Sequence, residues 1–242
     1  MTQLAGKRIL ITGGAGGLGR AVVARLAEAG AHLLVADRDT ADFDALPPPS
    51  SGTIDTVAVD LSSPEGIARM FASVDDRLEG LDILIACAGV GAGPLMEMPA
   101  AAWRYVIESN LMSYLACTQG AVERIRAGGT GAGMIILVGS ISVHIKAVGE
   151  SVYNATKGGV ASFAETLRKE LMPEHIRVTL IEPGAIGTSM QPFSARERAR
   201  LIAEHELLPP AEVAEAILFA ATRPAGVDVV TLRIEPVVQK IH

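Results

Sequence analysis

Aromatic residues are scarce in this 242-residue chain: five Phe, three Tyr and one Trp, 4% of the total. Its core must be built from aliphatic side chains, and apolar residues do reach 49%. Charge is thin as well, at 20% of residues, yet with so much apolar content the chain is not a disordered one. Basic residues number 21 against 27 acidic, a formal net charge of −6. With no basic run to override that balance, a nucleic-acid partner is not expected. Cysteine occurs twice, at Cys87 and Cys117, with neither metal-ligand spacing nor the density of a disulfide scaffold, so no metal site is expected. No uninterrupted apolar stretch reaches the ~20 residues that span a bilayer, and no membrane partner is expected. The first eight residues run into a strand-like segment without a signal-peptide layout. The expectation is one soluble, cytoplasmic, acidic domain over residues 1–242, of a length suited to a large α/β unit.

What is present is an alternation. Residues 8–12 form a short apolar run stopped by glycines, as a strand buried on both faces does. Leu18, Val22 and Leu26 then recur every four residues, flanked by Ala21 and Ala29, and Gly30 ends that helix. Residues 32–36 close a βαβ unit. Further strands are expected over 54–59, 81–86, 134–139, 177–181 and 229–234, with helices over 64–78, 100–126, 151–171 and 210–222. This pattern predicts a doubly wound, seven-stranded parallel sheet with helices on both faces, and seven strands are too few for a closed eight-strand barrel. Two segments break the rhythm. Residues 40–52 include Pro47-Pro48-Pro49 and cannot hold a full helix. Residues 188–208 are too long for a bare connection and suggest a substrate lid.

Chemistry-bearing residues cluster at predicted strand ends. Gly13, Gly14, Gly16, Gly17 and Gly19, with Ala15 and Leu18, stand where the first strand meets the first helix. Glycine suits a tight turn whose backbone approaches a pyrophosphate, with free helix N–H groups facing the anion. The spacing of Gly13, Gly17 and Gly19 is G-x-x-x-G-x-G rather than G-x-G-x-x-G. Asp37 ends the second strand, where a carboxylate can accept from both ribose hydroxyls of an adenosine or merely sit in solvent; Asp60 ends the third and could meet the adenine. Tyr153 and Lys157 stand four residues apart at the start of a helix, hence on one face. Ser140 follows the 134–139 strand, on the carboxyl edge where doubly wound sheets bind ligands.

The Gly13–Gly19 turn, Asn110, Ser140, Tyr153 and Lys157, in that order and spacing, resemble the short-chain dehydrogenase/reductase family from about residue 5 to residue 234. Pro183-Gly184 followed by Thr188 looks like that family's nicotinamide-side loop. The resemblance implies a Rossmann-type fold and an NAD(P)-dependent interconversion of a secondary alcohol and a ketone. Tyr153 would be the general acid/base, helped toward phenolate by the Lys157 ammonium; a free phenol titrates near 10. Ser140 would hydrogen-bond the substrate oxygen, with Ser142 beside it, and Asn110 would hold a water in the proton relay. Cofactor contacts would come from Gly13, Gly17, Leu18 and Gly19, from Asp37, Asp60 and Leu61, and from Ala88 and Gly89. Tyr153, Lys157, Pro183, Gly184, Ile186 and Thr188 would complete them.

Departures from the family pattern shape the finer expectations. Ala86-Cys87-Ala88-Gly89 stands where the family commonly has Asn-Asn-Ala-Gly, and Cys87 is read as a small buried hydrophobe. The tail from Arg223-Pro224 to Ile234-Glu235-Pro236 looks like the branch acting on small hydroxy acids and related polar alcohols, whose members often prefer NADP. Asp37 points instead to NAD, and Arg38, which could pair with a 2′-phosphate or swing to solvent, leaves NADP open. Val90, Gly91 and Ala92 are expected opposite Ser142, His144 and Lys146; the last two could attract a carboxylate or be solvated. Arg196, Arg198 and Arg200 beside Glu197 and Glu204 put 196/200 and 200/204 at i, i+4, read as a surface salt-bridge ladder. Helices carrying Ala116, Ala121, Ala161 and Ala164 would pair across a twofold axis in a homotetramer or homodimer. The rival readings are a non-catalytic dinucleotide-binding regulator and epimerase or dehydratase chemistry on the same fold.

Overall fold

A computed structural model describes residues 3–38, 43–49, 51–129 and 132–240. Strands β1 (Arg8–Thr12), β2 (His32–Asp37), β3 (Thr53–Ala58), β4 (Ile83–Ala86), β5 (Gly133–Val138), β6 (Ile176–Pro183) and β7 (Thr231–Ile234) make one sheet. Its order is β3-β2-β1-β4-β5-β6-β7, and every pairing is parallel. The doubly wound sheet expected from the strand–helix alternation is therefore the fold. Helices are α1 (Gly17–Glu28), α2 (Pro64–Arg77), α3 (Ala100–Ile107), α4 (Ser113–Ala127), α5 (Ser142–Ile145), α6 (Ser151–Leu171), α7 (Ala195–Ala203) and α8 (Pro210–Ala221).

Alternation along the buried strands builds two cores at once. Ile9 and Ile11 of β1, Ile83 and Ile85 of β4, and Met134 and Ile136 of β5 face α1 and α8. Leu10, Leu84, Ile135 and Leu137 face the opposite way, toward α2, α4 and α6. Central strands buried on both faces read as unbroken apolar runs, which is why they are legible; β3 and β7, at the edges, are only half-buried.

Two features depart from the sequence expectations, in the 100–126 helix and in the alanines, while the described part of the 40–52 segment agrees with them. The helix foreseen over 100–126 is interrupted by a π turn at Glu108–Met112, which separates α3 from α4. Within 40–52, Phe43–Ala45 forms a single 3-10 turn, while residues 40–42 and 50 lie outside the described residues. Ala121 and Ala164 pack against their own sheet, fully buried in the single chain, so they are not available to a twofold contact. Ala116 and Ala161 remain partly exposed.

Topology places the site. The connections from β1 and β4 leave in opposite directions, and a crevice opens above the carboxyl ends of these neighbours. The 188–208 insert is closed at its neck: Leu208 N–H donates to Ala185 O at 2.8 Å and Gly187 N–H to Leu208 O at 2.9 Å. Inside it, Ser194 caps α7 by accepting from Glu197 N–H at 3.2 Å. No helix among the described residues is long and apolar enough to cross a membrane.

Candidate active site

The crevice is a cleft of about 990 Å³, at the upper end of small-molecule sites. Of the residues expected around the cofactor and substrate, all border it except His144, Lys146 and Asn110, the last fully buried behind the wall.

At one end the β1–α1 turn is compressed beyond what a side chain would allow. Gly13 has φ +67°, and a Cβ there would lie 2.6 Å from Ala88 Cα; one on Gly19 would lie 2.1 Å from Gly13 O. The α1 start has neither a side-chain cap nor an acidic residue in its first turn. Its N–H groups and dipole therefore face the cleft as an anion site. Asp37 closes this end: its Oδ2 accepts from Ala15 N–H at 2.9 Å and its Oδ1 from Arg38 N–H at 2.7 Å. The carboxylate is thus pinned to the turn it guards. Arg38 is not loose in solvent, as the sequence allowed. Its guanidinium hydrogen-bonds the Tyr105 hydroxyl and lies over that ring, 5.8 Å from the centroid. Asp60 accepts from Ser62 N–H and Oγ, fixing the end of β3. A compressed glycine turn, orphan N–H groups and an anchored carboxylate fit a dinucleotide.

At the other end stand Ser140, Tyr153 and Lys157. Lys157 is buried beneath the cleft, where Nζ donates to Val138 O at 2.9 Å and to the Tyr114 hydroxyl at 3.4 Å. No carboxylate among the described residues meets it, and desolvation pushes its pKa down to about 8. Gly89 makes room: a Cβ there would lie 3.6 Å from Lys157 Nζ and 3.3 Å from Asn110 Oδ1. Tyr153 lies with its ring centroid 5.9 Å from Nζ. Burial raises its pKa, hydrogen bonding with Ser140 works against that, and the charge of Glu150 adds to it. In the free chain desolvation outweighs the hydrogen bond, so the net direction is upward.

Asn110 sits in the π turn, a distortion common at functional sites. Its Nδ2 donates to Val90 O at 2.8 Å and to Thr156 Oγ1 at 3.4 Å, and its Oδ1 accepts from Val90 N–H at 2.8 Å. Through these contacts the side chain ties the β4–α3 loop to α6. Ser142 contributes differently from expectation. Its backbone N–H donates to Ser140 Oγ at 3.1 Å, while its own hydroxyl oxygen is buried without a partner. Cys87 borders the cleft with its thiol pushed up to about 12 by burial, which suits a packing residue.

Two further expectations are corrected. His144 and Lys146 do not border the cleft: the turn of α5 carries His144 onto buried Glu182, Nε2 to Oε2 3.0 Å. Of the foreseen ladder on α7 only Arg200–Glu204 forms; 196/200 pairs two arginines, which repel. The sequence reading missed Tyr105, Glu150, Gln191, Gln239 and Lys240 on the cleft wall. Glu150 had a signal, one helical turn before Tyr153. Gln239, which accepts from Ala185 N–H at 3.1 Å across 54 residues, had none.

The sequence pattern of the short chain dehydrogenase family matches residues 7–199. The chain belongs to that family. It is similar to a D-xylose 1-dehydrogenase of Caulobacter vibrioides, 33% identical, covering 93% of this chain and 92% of that one. A farnesol dehydrogenase of Aedes aegypti is 30% identical, covering 99% and 100%. The structure of L-sorbose reductase from Gluconobacter frateurii, complexed with NADPH and L-sorbose, superposes with TM-score 0.85 at 26% identity, covering 97% and 98%. Membership makes this chain an oxidoreductase whose family uses NAD(P), and relatives named for D-xylose and for farnesol leave the substrate open.

The burial of Lys157 has a measurable consequence for this dehydrogenase. Its folded pKa, about 8, lies below the ordinary 10.5, so folding carries the full cost of the buried charge at pH 7. That cost fades as pH rises from 8 to 10.5, where the unfolded lysine also loses its proton. Lys157→Met is expected to unfold at higher urea at pH 7, by about 3 kcal/mol, with the gain vanishing toward pH 10.5. A less stable variant at pH 7 would contradict this account of the site.

Proposed function

We propose that this short-chain dehydrogenase interconverts a secondary alcohol and a ketone, with Tyr153 as general acid/base and NAD as the preferred cofactor. The observation that carries the reading is a single cleft that joins the glycine turn and Asp37 at one end to Ser140, Tyr153 and Lys157 at the other. Bound NAD supplies the hydride acceptor for oxidation, and its reduced form the hydride donor for reduction. Gly13, Gly17, Leu18 and Gly19 hold the pyrophosphate, Asp37 the adenosine ribose, and Asp60 and Leu61 border the adenine. Ala88, Gly89, Pro183, Gly184, Ile186 and Thr188 hold the remainder, with Lys157 on the nicotinamide ribose.

In reduction Tyr153 gives its phenolic proton to the carbonyl oxygen while Ser140 donates a hydrogen bond to it. In oxidation Tyr153 takes the hydroxyl proton as the C–H hydride leaves. The Lys157 ammonium, charged below pH 8, favours the phenolate in that direction. Residues 188–192 border the cleft, and the insert they begin, closed at its neck, acts as the lid.

Charge sets the cofactor choice. A 2′-phosphate facing Asp37 at about 4 Å meets roughly 1–4 kcal/mol of repulsion. It also forfeits ribose hydrogen bonds worth about 1.5–3 kcal/mol. Recruiting Arg38 would mean breaking its contact with Tyr105.

Four outcomes are expected. Tyr153→Phe lowers hydride transfer by orders of magnitude, with NADH affinity within threefold; near wild-type turnover would defeat the mechanism. Because burial raises the Tyr153 phenol, alcohol oxidation by the wild type should rise through the alkaline range. On one substrate, kcat/KM favours NAD over NADP tenfold or more, about 1.4 kcal/mol, and Asp37→Ala shrinks the ratio by improving NADP use. Preference for NADP in the wild type would overturn the role given to Asp37. The chain is a homo-oligomer, a tetramer or dimer, through the exposed faces of α4 and α6. Light scattering at micromolar concentration should give a multiple of 25.2 kDa, and a monomeric mass would reject this.

A further inference from the structure

Glu150 stands at the start of α6, one turn before Tyr153, and borders the cleft. Half-buried, its carboxyl is pushed above the usual carboxylate range by desolvation, yet among the described residues no ion pair or side-chain hydrogen bond satisfies it. Lys146, exposed on the loop before it, does not border the cleft, and the other nearby cations are engaged elsewhere. His144 pairs with Glu182 at 3.0 Å, Lys240 with Glu206 at 2.6 Å, and Lys157 is turned to Val138 O and Tyr114. Arg38 is held by Tyr105 at the far end. A carboxylate that borders the cleft beside Tyr153 can accept a hydrogen bond from a ligand bound there.

The neighbouring wall narrows what that donor is. Gln191 and Gln239 are neutral hydrogen-bonding groups, and Ser140 is already committed to the reacting oxygen. A cationic ligand would approach the Lys157 ammonium, and an anionic one would face the Glu150 carboxylate, which is more open to the cleft than the buried Lys157.

We infer that Glu150 selects the substrate, accepting a hydrogen bond from a second hydroxyl of a neutral hydroxylated alcohol or ketone and rejecting substrates that carry a carboxylate. This rests on the dehydrogenase reading above, and it departs from the hydroxy-acid likeness of the C-terminal tail.

The test uses matched pairs that differ only in replacing a primary alcohol by a carboxylate, such as butane-1,3-diol and 3-hydroxybutyrate, within a panel of longer homologues. Wild-type kcat/KM should favour the diol of each pair tenfold or more. Glu150→Gln should shrink that ratio at least fivefold, mainly by raising turnover of the acids, and Glu150→Lys should reverse it. A second readout needs no turnover: phenolate absorbance of each protein minus its Tyr153→Phe counterpart. The groups around Tyr153 are Ser140, Lys157, Tyr114, Cys87 and Glu150; removing the charge of Glu150 should lower the Tyr153 pKa. A ratio unchanged within twofold in both variants, with the wild type active, overturns the role of Glu150 alone. Wild-type preference for the acids does the same. No turnover of any panel member overturns the dehydrogenase reading together with it.

Discussion

Strand order reverses between β1 and β4, and the rest of the molecule follows from that. Their crossovers diverge, leaving a crevice above two adjacent strand ends. The backbone there must approach a ligand directly, so the β1–α1 turn is glycine wherever a Cβ would strike Ala88 or Gly13. Loops after β2, β3, β4, β5 and β6 converge on the same rim, which is why residues more than a hundred positions apart share one cleft. Parallel strands make this convergence possible, since all their carboxyl ends lie on one edge.

The catalytic end trades stability for a poised charge. Lys157 occupies a buried position satisfied by one carbonyl and one phenol, with no counter-ion among the described residues. Native proteins hold such arrangements where function requires them. The cost is carried by a densely packed aliphatic core in which Tyr114 also donates to Val138 O at 3.0 Å. Asn110 serves the same end by locking the β4–α3 loop onto α6. The π turn that presents it cannot be read from periodicity, because one extra residue per turn leaves the apolar stripes on either side intact.

Legibility in the sequence tracks burial. The central strands, apolar on both faces, were located to within about two residues, and Asp37, Ser140 and Tyr153 were found because strand ends and helical spacing place them. The substrate end was read less well. His144 and Lys146 were assigned to it by nearness to Ser140 in the chain, but α5 turns them away. Gln239 and Lys240 arrive from the tail through contacts with Ala185 and Glu206, which no local pattern announces. Glu150 was overlooked although helical spacing puts it beside Tyr153.

The central claim is that this crevice holds one nicotinamide dinucleotide with its reactive ring beside Tyr153. Titration of the purified protein with NADH, following nicotinamide emission and heat release in parallel, tests it most directly. The account predicts saturable binding of one NADH per chain, with emission that changes when Tyr153 is replaced by Trp. Absence of saturable binding, or one-per-chain binding whose emission ignores that replacement, would contradict it.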